Sequence, residues 1–241
     1  MAQAKIRLYV EHPLVAGQPI PLTEAQAHYL FGVMREGVGS LVRLFNGQDG
    51  EWIAEVTTAA KRGGALTPRE VSAPQLNPPD LWLLFAPIKK ARTDFIVEKA
   101  AELGAARICP VQTEFTNADR IRQDRLQAHA LEAAEQCGGT YVPEVVDLAP
   151  LSKVLAGWDP ARRILWADES LVGAAETLAG LAPGPWAILI GPEGGFSEAE
   201  RNRLRALDFV TPVSLGPRIL RADTAACAAL TLWQAALGDW R

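Results

Sequence analysis

Cysteine and histidine are scarce in this chain of 241 residues, with three of each. Cys109, Cys137 and Cys227 stand far apart and form no CxxC pair, so the sequence indicates neither a disulfide framework nor a thiolate metal site. We expect these cysteines to be small core residues. The histidines show neither HxxxH nor HExxH spacing, and we therefore predict that the protein binds no metal.

Long apolar runs are also missing. No stretch of eighteen apolar residues occurs, and the first ten residues carry Lys5 and Arg7 without the apolar segment of a secretory signal. We therefore expect a soluble, cytoplasmic protein without a membrane-spanning segment. The 49% of hydrophobic residues is enough for two cores, so two domains are expected.

An excess of positive charge is absent, since the formal net charge is −4. This balance argues against a protein that coats nucleic acid nonspecifically, because neutralising phosphates needs a positive field. Local basic clusters do occur: Lys89, Lys90 and Arg92; Arg120, Arg122 and Arg125; Arg201, Arg203 and Arg205. Such a cluster is more often a solvated helix face than an RNA contact.

The common motifs of nucleotide and ester chemistry are missing as well. The chain has no GxxxxGK[ST] loop, its glycine-rich segment does not supply GxGxxG, and no GxSxG is present. Nucleotide hydrolysis, dinucleotide oxidation and serine esterase chemistry are therefore disfavoured.

The first part of the chain has the pattern of a small β-rich unit. Strands are predicted over 6–10, 41–45, 52–57 and 65–71, with a hairpin turn at 46–50. Thr23 and Gln26 have capping-box spacing, which predicts a helix over 24–35. Three prolines between Ala73 and Asp80 favour an extended linker, so we place domains at 1–73 and 81–241 with a linker at 74–80.

Beyond the linker, short apolar runs alternate with helical stretches. Strands are predicted over 81–86, 108–111, 164–167, 186–190 and 213–215, and helices over 94–103, with Thr93 as its cap, and 120–137. This alternation is typical of an α/β domain whose parallel sheet is covered on both faces.

Two unusual loops follow the last two predicted strands. Gly191 to Phe196 joins a strand to a helix that Ser197 and Glu200 would cap, and Gly216 to Thr224 leads into an apolar helix over 225–237 that Asp223 or Thr224 would cap. Ligands bind at the carboxyl ends of strands in open α/β sheets, where glycines allow close backbone approach. The two loops could form one crevice, although glycine content alone is equally consistent with plain tight turns.

The residues of these loops carry a family resemblance. The segments Ile188 to Phe196 and Leu215 to Ala225 strongly resemble the RsmE family of 16S rRNA N3-uridine methyltransferases, within the SPOUT superfamily. Further matches are Glu98 to Gly104, Glu132 to Gly138, and Phe45-Asn46-Gly47 with Gly50-Glu51-Trp52. The resemblance covers nearly the whole chain.

The resemblance implies an N-terminal PUA-like β-barrel that binds RNA, followed by a SPOUT α/β domain with a C-terminal trefoil knot. It also implies a homodimer that acts on 16S rRNA of the small ribosomal subunit with S-adenosylmethionine as methyl donor. The residues predicted to bind the donor are Gly191, Glu193, Gly194, Gly195, Leu215, Gly216, Ile219, Leu220 and Thr224. Those predicted to contact RNA are Arg7, Arg35, Lys89, Lys90 and Arg92.

Methyl transfer to uracil N3 requires removal of a weakly acidic proton. Glu193 could accept it, or Arg221 could stabilise negative charge on the ring oxygens, and Arg221 is favoured over Glu193. Two positions differ from the family pattern, Gly139 and Met34, and both bear on RNA contacts more than on the reaction. The alternative function is a noncatalytic RNA-binding module of ribosome assembly, against which the intact pair of loops argues.

Overall fold

The computed structural model describes residues 4–118, 120–168, 171, 178 and 180–240. The chain divides into two compact units: Met1–Asn77 with Ala134–Tyr141, and Pro78–Ala133 with Val142–Arg241. No helix among the described residues is long and apolar enough to cross a membrane.

The first unit is built on a five-stranded sheet with the order β1-β3-β4-β5-β2. Its strands are β1 Arg7–Tyr9, β2 Ile20–Pro21, β3 Leu41–Phe45, β4 Glu51–Ala60 and β5 Gly63–Ala73. β3 and β4 pair in antiparallel fashion, which confirms the predicted hairpin across 46–50. The longer hairpin of β4 and β5 contains register shifts, and Pro68 sits in β5 opposite Ala54. The buried core includes Leu8, Leu44 and Val56.

The helix of the first unit is shorter than its sequence pattern predicts. Thr23 and Gln26 form the expected capping box at the start of α1, Glu24–Ala27. The chain then continues as a π-helix over His28–Val33 rather than as α-helix to Arg35. Arg35 has a left-handed backbone with φ of 59°, so the helix cannot extend through it.

The second unit is a parallel sheet with the order β12-β10-β11-β6-β7-β8, and β9 pairs with β7. The strands are β6 Leu81–Phe85, β7 Arg107–Gln112, β8 Glu144–Val145, β9 Ala149–Pro150, β10 Arg163–Ala167, β11 Trp186–Ile190 and β12 Val210–Val213. The strand predicted over 213–215 is wrong: β12 ends where that prediction begins. The other four predicted strands of this unit are present, with small shifts at their ends.

Helices cover both faces of this sheet, as its apolar strands predict. They are α2 Lys90–Glu102, α3 Gln123–Cys137, α4 Leu151–Ala156, α5 Glu198–Arg205 and α6 Ala222–Ala236. Leu83 and Ile188 face one buried cluster with α2 and α6 residues, while Leu84 and Leu189 face the other. This alternation means that β6 and β11 bury both of their faces.

Two predicted helix caps are wrong. Thr93 lies inside α2, and its hydroxyl hydrogen-bonds the backbone of Ile88. α6 starts before Asp223, with Arg221 at the capping position and no side-chain cap. The carboxylate of Asp223 instead accepts the Thr224 N–H and a bond from Arg92.

The cysteines only partly follow the prediction of core residues. Cys109 is buried, Cys227 is half-buried and Cys137 is exposed. Burial raises the pKa of the Cys109 thiol to about 12, so this group stays protonated at neutral pH. Cys137 lies at the end of α3, where the helix reaches the surface.

Candidate methyl-donor cleft

Three adjacent parallel strands end together at one edge of the second sheet. β10 lies between β12 and β11, with Ala167 opposite Val213 and Trp166 opposite Leu189. The residues that follow these strands are therefore neighbours in space: Asp168, Gly191 and Ser214. This edge is where an open α/β sheet places its ligand.

The loop after β11 is tight and depends on its glycines. A Cβ atom added to Gly191 would lie 2.6 Å from Cε2 of Phe196, whose ring packs edge-on against Trp166 at 5.7 Å between centroids. Gly195 donates its N–H to Pro192 O at 2.9 Å and has a left-handed φ of 70°. Such a conformation favours glycine, so at this position the residue is required by the turn itself.

A capping box ends this loop and begins α5. The Ser197 hydroxyl accepts from the Glu200 N–H, and the Glu200 carboxylate accepts from the Ser197 N–H. This confirms the predicted start of the helix. The bonds hold the loop against the sheet edge while Glu193 stays exposed.

The loop after β12 turns back toward the same edge. The Ser214 hydroxyl donates to Gly216 O at 3.1 Å, and Gly216 has a φ of 113°. Beyond this turn Ile219 is 83% exposed, whereas Leu220 is half-buried. Arg221 ends the loop at the start of α6.

The two loops and the end of β10 enclose a cleft of about 280 Å³. We call it the donor cleft. Seven of the nine residues predicted to bind the donor line it, together with Arg218 and Arg221. They are Gly191, Glu193, Gly195, Leu215, Gly216, Ile219 and Leu220.

Gly194 and Thr224 do not line the donor cleft. Gly194 faces Phe115, whose Cβ would be 3.2 Å from an added Cβ. The exposed Thr224 bonds to Asp223. Both differences arise from the backbone path of the loops, which residue types alone do not determine.

The donor cleft also contains an acidic group that the sequence pattern does not predict. Asp168 lines it with a side chain only 1% exposed, and its carboxylate pairs with Arg201 at 3.2 Å and Arg205 at 3.1 Å. Arg201 also lines the cleft and donates to Phe196 O at 3.1 Å. The available signal was position, because Asp168 directly follows a predicted strand.

Arg7, one of the residues predicted to contact RNA, lies inside the first unit. Arg7 is buried, its Nε lies 2.5 Å from Glu51 Oε2, and its guanidinium donates to the carbonyls of Ala134, Glu135 and Gly139. The predicted RNA contact does not fit this arrangement, because every one of these bonds serves the interior of the first unit.

The other four residues predicted to contact RNA are more accessible. Arg35, Lys89 and Lys90 are exposed. Arg92 is half-buried and pairs with Asp223 at 3.0 Å, which links α2 to α6. Within the described residues, no group of three or more His, Cys, Asp or Glu side chains is arranged to hold a metal ion.

Comparison with known families defines the class of protein. A family model described as "RNA methyltransferase domain" matches residues 75–234, and one described as "RNA methyltransferase PUA domain" matches residues 22–67. The first match covers the whole donor cleft. The fold and the site are therefore those of an RNA methyltransferase with a PUA domain.

Curated relatives narrow the family further. Ribosomal RNA small subunit methyltransferase E of a Synechocystis species is 32% identical over 93% of this chain and 75% of its own length. The Rickettsia conorii protein of the same name is 28% identical over 93% of both chains. The chain belongs to the family of ribosomal RNA small subunit methyltransferase E, as its loop motifs predict.

A solved structure of that family shares the fold over nearly the whole length. The Neisseria gonorrhoeae ribosomal RNA small subunit methyltransferase E, crystallised bound to S-adenosyl methionine, superimposes with a TM-score of 0.88. The two chains are 26% identical, and the match covers 98% of this chain and 99% of the other.

Proposed function

We propose that this protein is a cytoplasmic methyltransferase that transfers a methyl group from S-adenosylmethionine to N3 of a uridine in 16S rRNA of the small ribosomal subunit. The observation that carries the proposal is the donor cleft, where two glycine loops meet at the ends of β10, β11 and β12. The family to which the chain belongs and the donor bound in its solved relative support it.

The residues of the donor cleft fit this methyl donor. Gly191 lets the loop after β11 pack closely beside the cleft, because a side chain there would meet Phe196. Leu215, Ile219 and Leu220 supply apolar surface for an adenine ring. The exposed carboxylate of Glu193 is the cleft group best placed to attract the donor's positive charge, since Asp168 is already paired with two arginines.

When bound, S-adenosylmethionine supplies a sulfonium methyl group that is itself the electrophile. The protein has to orient the uracil, exclude water and manage the N3 proton. Arg221 lies at the lining of the cleft, where its guanidinium can stabilise negative charge on the uracil oxygens as N3 loses its proton. Glu193 is the candidate acceptor of that proton.

The C-terminal trefoil knot is part of this proposal. α6 follows β12 at the edge of the sheet, yet it packs against β11 and α2 further in. The chain therefore turns back past the donor cleft before it ends, which is the course that a knot requires. A homodimer is also proposed, because Ile219 on the rim of the cleft is an apolar side chain left 83% exposed.

Calorimetry with S-adenosylmethionine and the full chain tests the function most directly. Binding at micromolar donor, followed by transfer of labelled methyl groups to small ribosomal subunits, is expected. Because N3 lies on the pairing edge of uracil, its methylation should stop primer extension one nucleotide before the target. A protein that binds subunits but not the donor would instead be a noncatalytic assembly module.

A further inference from the structure

A second cavity lies at the same sheet edge as the donor cleft, at the ends of β6 and β7. Its volume is about 410 Å³, and it is lined by Pro87, Ile88, Lys90, Thr93, Asp94, Ala118, Arg120, Ile121, Arg122, Arg125 and Leu126. We call it the β6–β7 cavity. β6 pairs directly with β11, and Ala86 donates its N–H to Ile190 O at 3.0 Å. The loops that form the two sites therefore leave neighbouring strands side by side.

Exposed cations stand among the described residues that line the β6–β7 cavity. Lys90 and Arg120 are exposed and have no ion-pair partner among the described residues. Arg122, in contrast, is held by Asp124 through two bonds of 2.9 and 2.7 Å, which lower the pKa of that carboxyl to about 2. Lys90 and Arg120 are thus the cations left available for an anion.

A helix start adds to this positive field. α2 begins at Lys90 with no side-chain cap and no acidic residue in its first turn. The positive end of the dipole of this 13-residue helix is therefore not neutralised by the helix itself. Phosphate groups are among the anions that bind at such a helix start with nearby cations.

The interior of the cavity contains a carboxylate oxygen without a hydrogen-bond partner. Asp94 is only 8% exposed, and while one of its carboxylate oxygens pairs with Arg125, the other, Oδ1, has no hydrogen-bond partner. A buried acceptor without a donor is unfavourable, so a native site that keeps one is suited to receive a donor. The apolar walls beside it, Ile88, Ile121 and Leu126, match a flat ring.

We propose that the β6–β7 cavity binds one nucleotide of the RNA substrate, with its phosphate at Lys90 and Arg120 and an N–H of its base at Asp94 Oδ1. This inference rests on the proposed function, and it assigns the cavity to a nucleotide next to the methylated one. Cations at the rim, apolar walls and one buried acceptor match the phosphate, the ring and an N–H of a nucleotide.

The test uses the full chain saturated with S-adenosylmethionine, so that the donor cleft is closed to competitors. Guanosine 5′-monophosphate, whose pairing edge offers adjacent N–H donors, is compared with ribose 5-phosphate by NMR titration. The base contact should make the nucleotide bind about tenfold more tightly or better. Equal affinities for the two compounds would overturn the proposal, as would no binding of either at millimolar concentration.

Matched variants separate the two parts of the site. Lys90→Ser and Arg120→Ser should each weaken the binding of both compounds about two- to fivefold. Lys153 is an exposed lysine on α4, and Lys153→Ser should change the binding of neither compound. Asp94→Asn should weaken the binding of the nucleotide and leave the binding of ribose 5-phosphate unchanged. Because Asp94→Asn also disturbs the pair with Arg125, Ala118→Trp provides a second variant that fills the cavity without changing charge, and it should abolish nucleotide binding.

RNA itself gives the final comparison. In methylation of ribosomal subunits, Lys90→Ser and Arg120→Ser should each raise KM. Each should also reduce the slope of log affinity against log salt concentration by about one. Donor affinity, measured by calorimetry, should not change. If the donor binds and methylation proceeds but these variants behave like Lys153→Ser, the cavity proposal fails while the proposed function stands.

Discussion

Arg221 occupies an unusual position for an arginine, at the start of a helix where its positive charge is unfavourable. It is exposed, it lines the donor cleft, and its side chain has no hydrogen-bond or ion-pair partner among the described residues. Asp223, an obvious partner, is already bound by Arg92. A structural salt bridge therefore does not account for Arg221, which leaves its guanidinium available to the substrate.

Arg221→Ala should lower the rate of methyl transfer far more than it lowers donor affinity. Loss of one donor to a developing negative charge typically costs about 10² to 10³ in rate. Single-turnover methylation of small subunits at saturating donor measures this effect. Arg218→Ala is the matched control, since Arg218 lines the same cleft. An unchanged rate constant for Arg221→Ala would remove this residue from the mechanism, and a large loss with Arg218→Ala alone would transfer the role.

Arg7→Met should destabilise the protein instead of simply weakening RNA binding. The substitution removes the closer of the two arginines paired with the buried Glu51 carboxylate, since Arg43 lies 3.7 Å away, and breaking such a buried pair costs about 3–5 kcal/mol. Urea unfolding measures the loss. In Arg69→Met, which removes an exposed pair with Glu55, the cost should be about 0–1 kcal/mol. Unaltered stability together with reduced RNA affinity would restore the predicted RNA contact.

Most residues that line the donor cleft are predicted from the family resemblance of the two loops, because glycine content alone is equally consistent with tight turns. The sequence does not identify Asp168, whose importance depends on β10 lying between the two strands that bear the loops. Nor does it distinguish the buried Arg7 from the exposed Arg35, since burial of an arginine depends on acceptors more than 120 positions away. Local sequence pattern therefore predicts the loop residues, whereas the roles of Asp168 and Arg7 depend on long-range packing.

At the scale of elements, strands with strong apolar runs are predicted well and edge strands poorly. The prediction for β11 agrees at both ends, and its five residues are all buried. β12 contains Pro212, which argues against a central strand. Among the described strands β12 lies at the sheet edge and pairs with β10 alone, so it tolerates this proline. The strand ends where the predicted segment begins.

Gly191→Ala tests how closely the loop after β11 is packed. The added Cβ would meet the Phe196 ring at 2.6 Å, and that ring is held against Trp166. Such overpacking typically costs about 1–3 kcal/mol, and here it should also displace the loop from the donor. Calorimetry should show a lower donor affinity, and thermal melting should show a lower melting temperature. Gly180→Ala is the control because no atom of the described residues lies within 4 Å of its added Cβ. Equal behaviour of the two variants would contradict the packing argument.

At the scale of the whole molecule, the sequence predicts a division near the proline-rich segment and cannot predict a second one. The compact units separate after Asn77, but residues Ala134–Tyr141 belong with the first unit. α3 therefore begins in one unit and ends in the other. Nothing in the helical periodicity of 123–137 marks this passage, because it depends on tertiary contacts such as those of Arg7.

The proposed homodimer has a direct measurement. Sedimentation equilibrium at micromolar concentration should give twice the chain mass of 26.0 kDa. The physical reason is the apolar rim of the donor cleft, where Ile219 lacks cover within its own chain. Ile219→Ser should shift the equilibrium toward the monomer. A monomeric wild-type chain at this concentration would count against the dimer.

The divided first unit has a consequence for the order of events during synthesis. Arg7 leaves the ribosome early, but the carbonyls of Ala134, Glu135 and Gly139 that receive its hydrogen bonds are made much later. At about 5–20 residues per second, the 64 residues between Asn77 and Tyr141 take roughly 3–13 s. The hydrogen bonds of Arg7 to these carbonyls therefore cannot form until more than half of the chain has emerged, and its guanidinium stays hydrated until then.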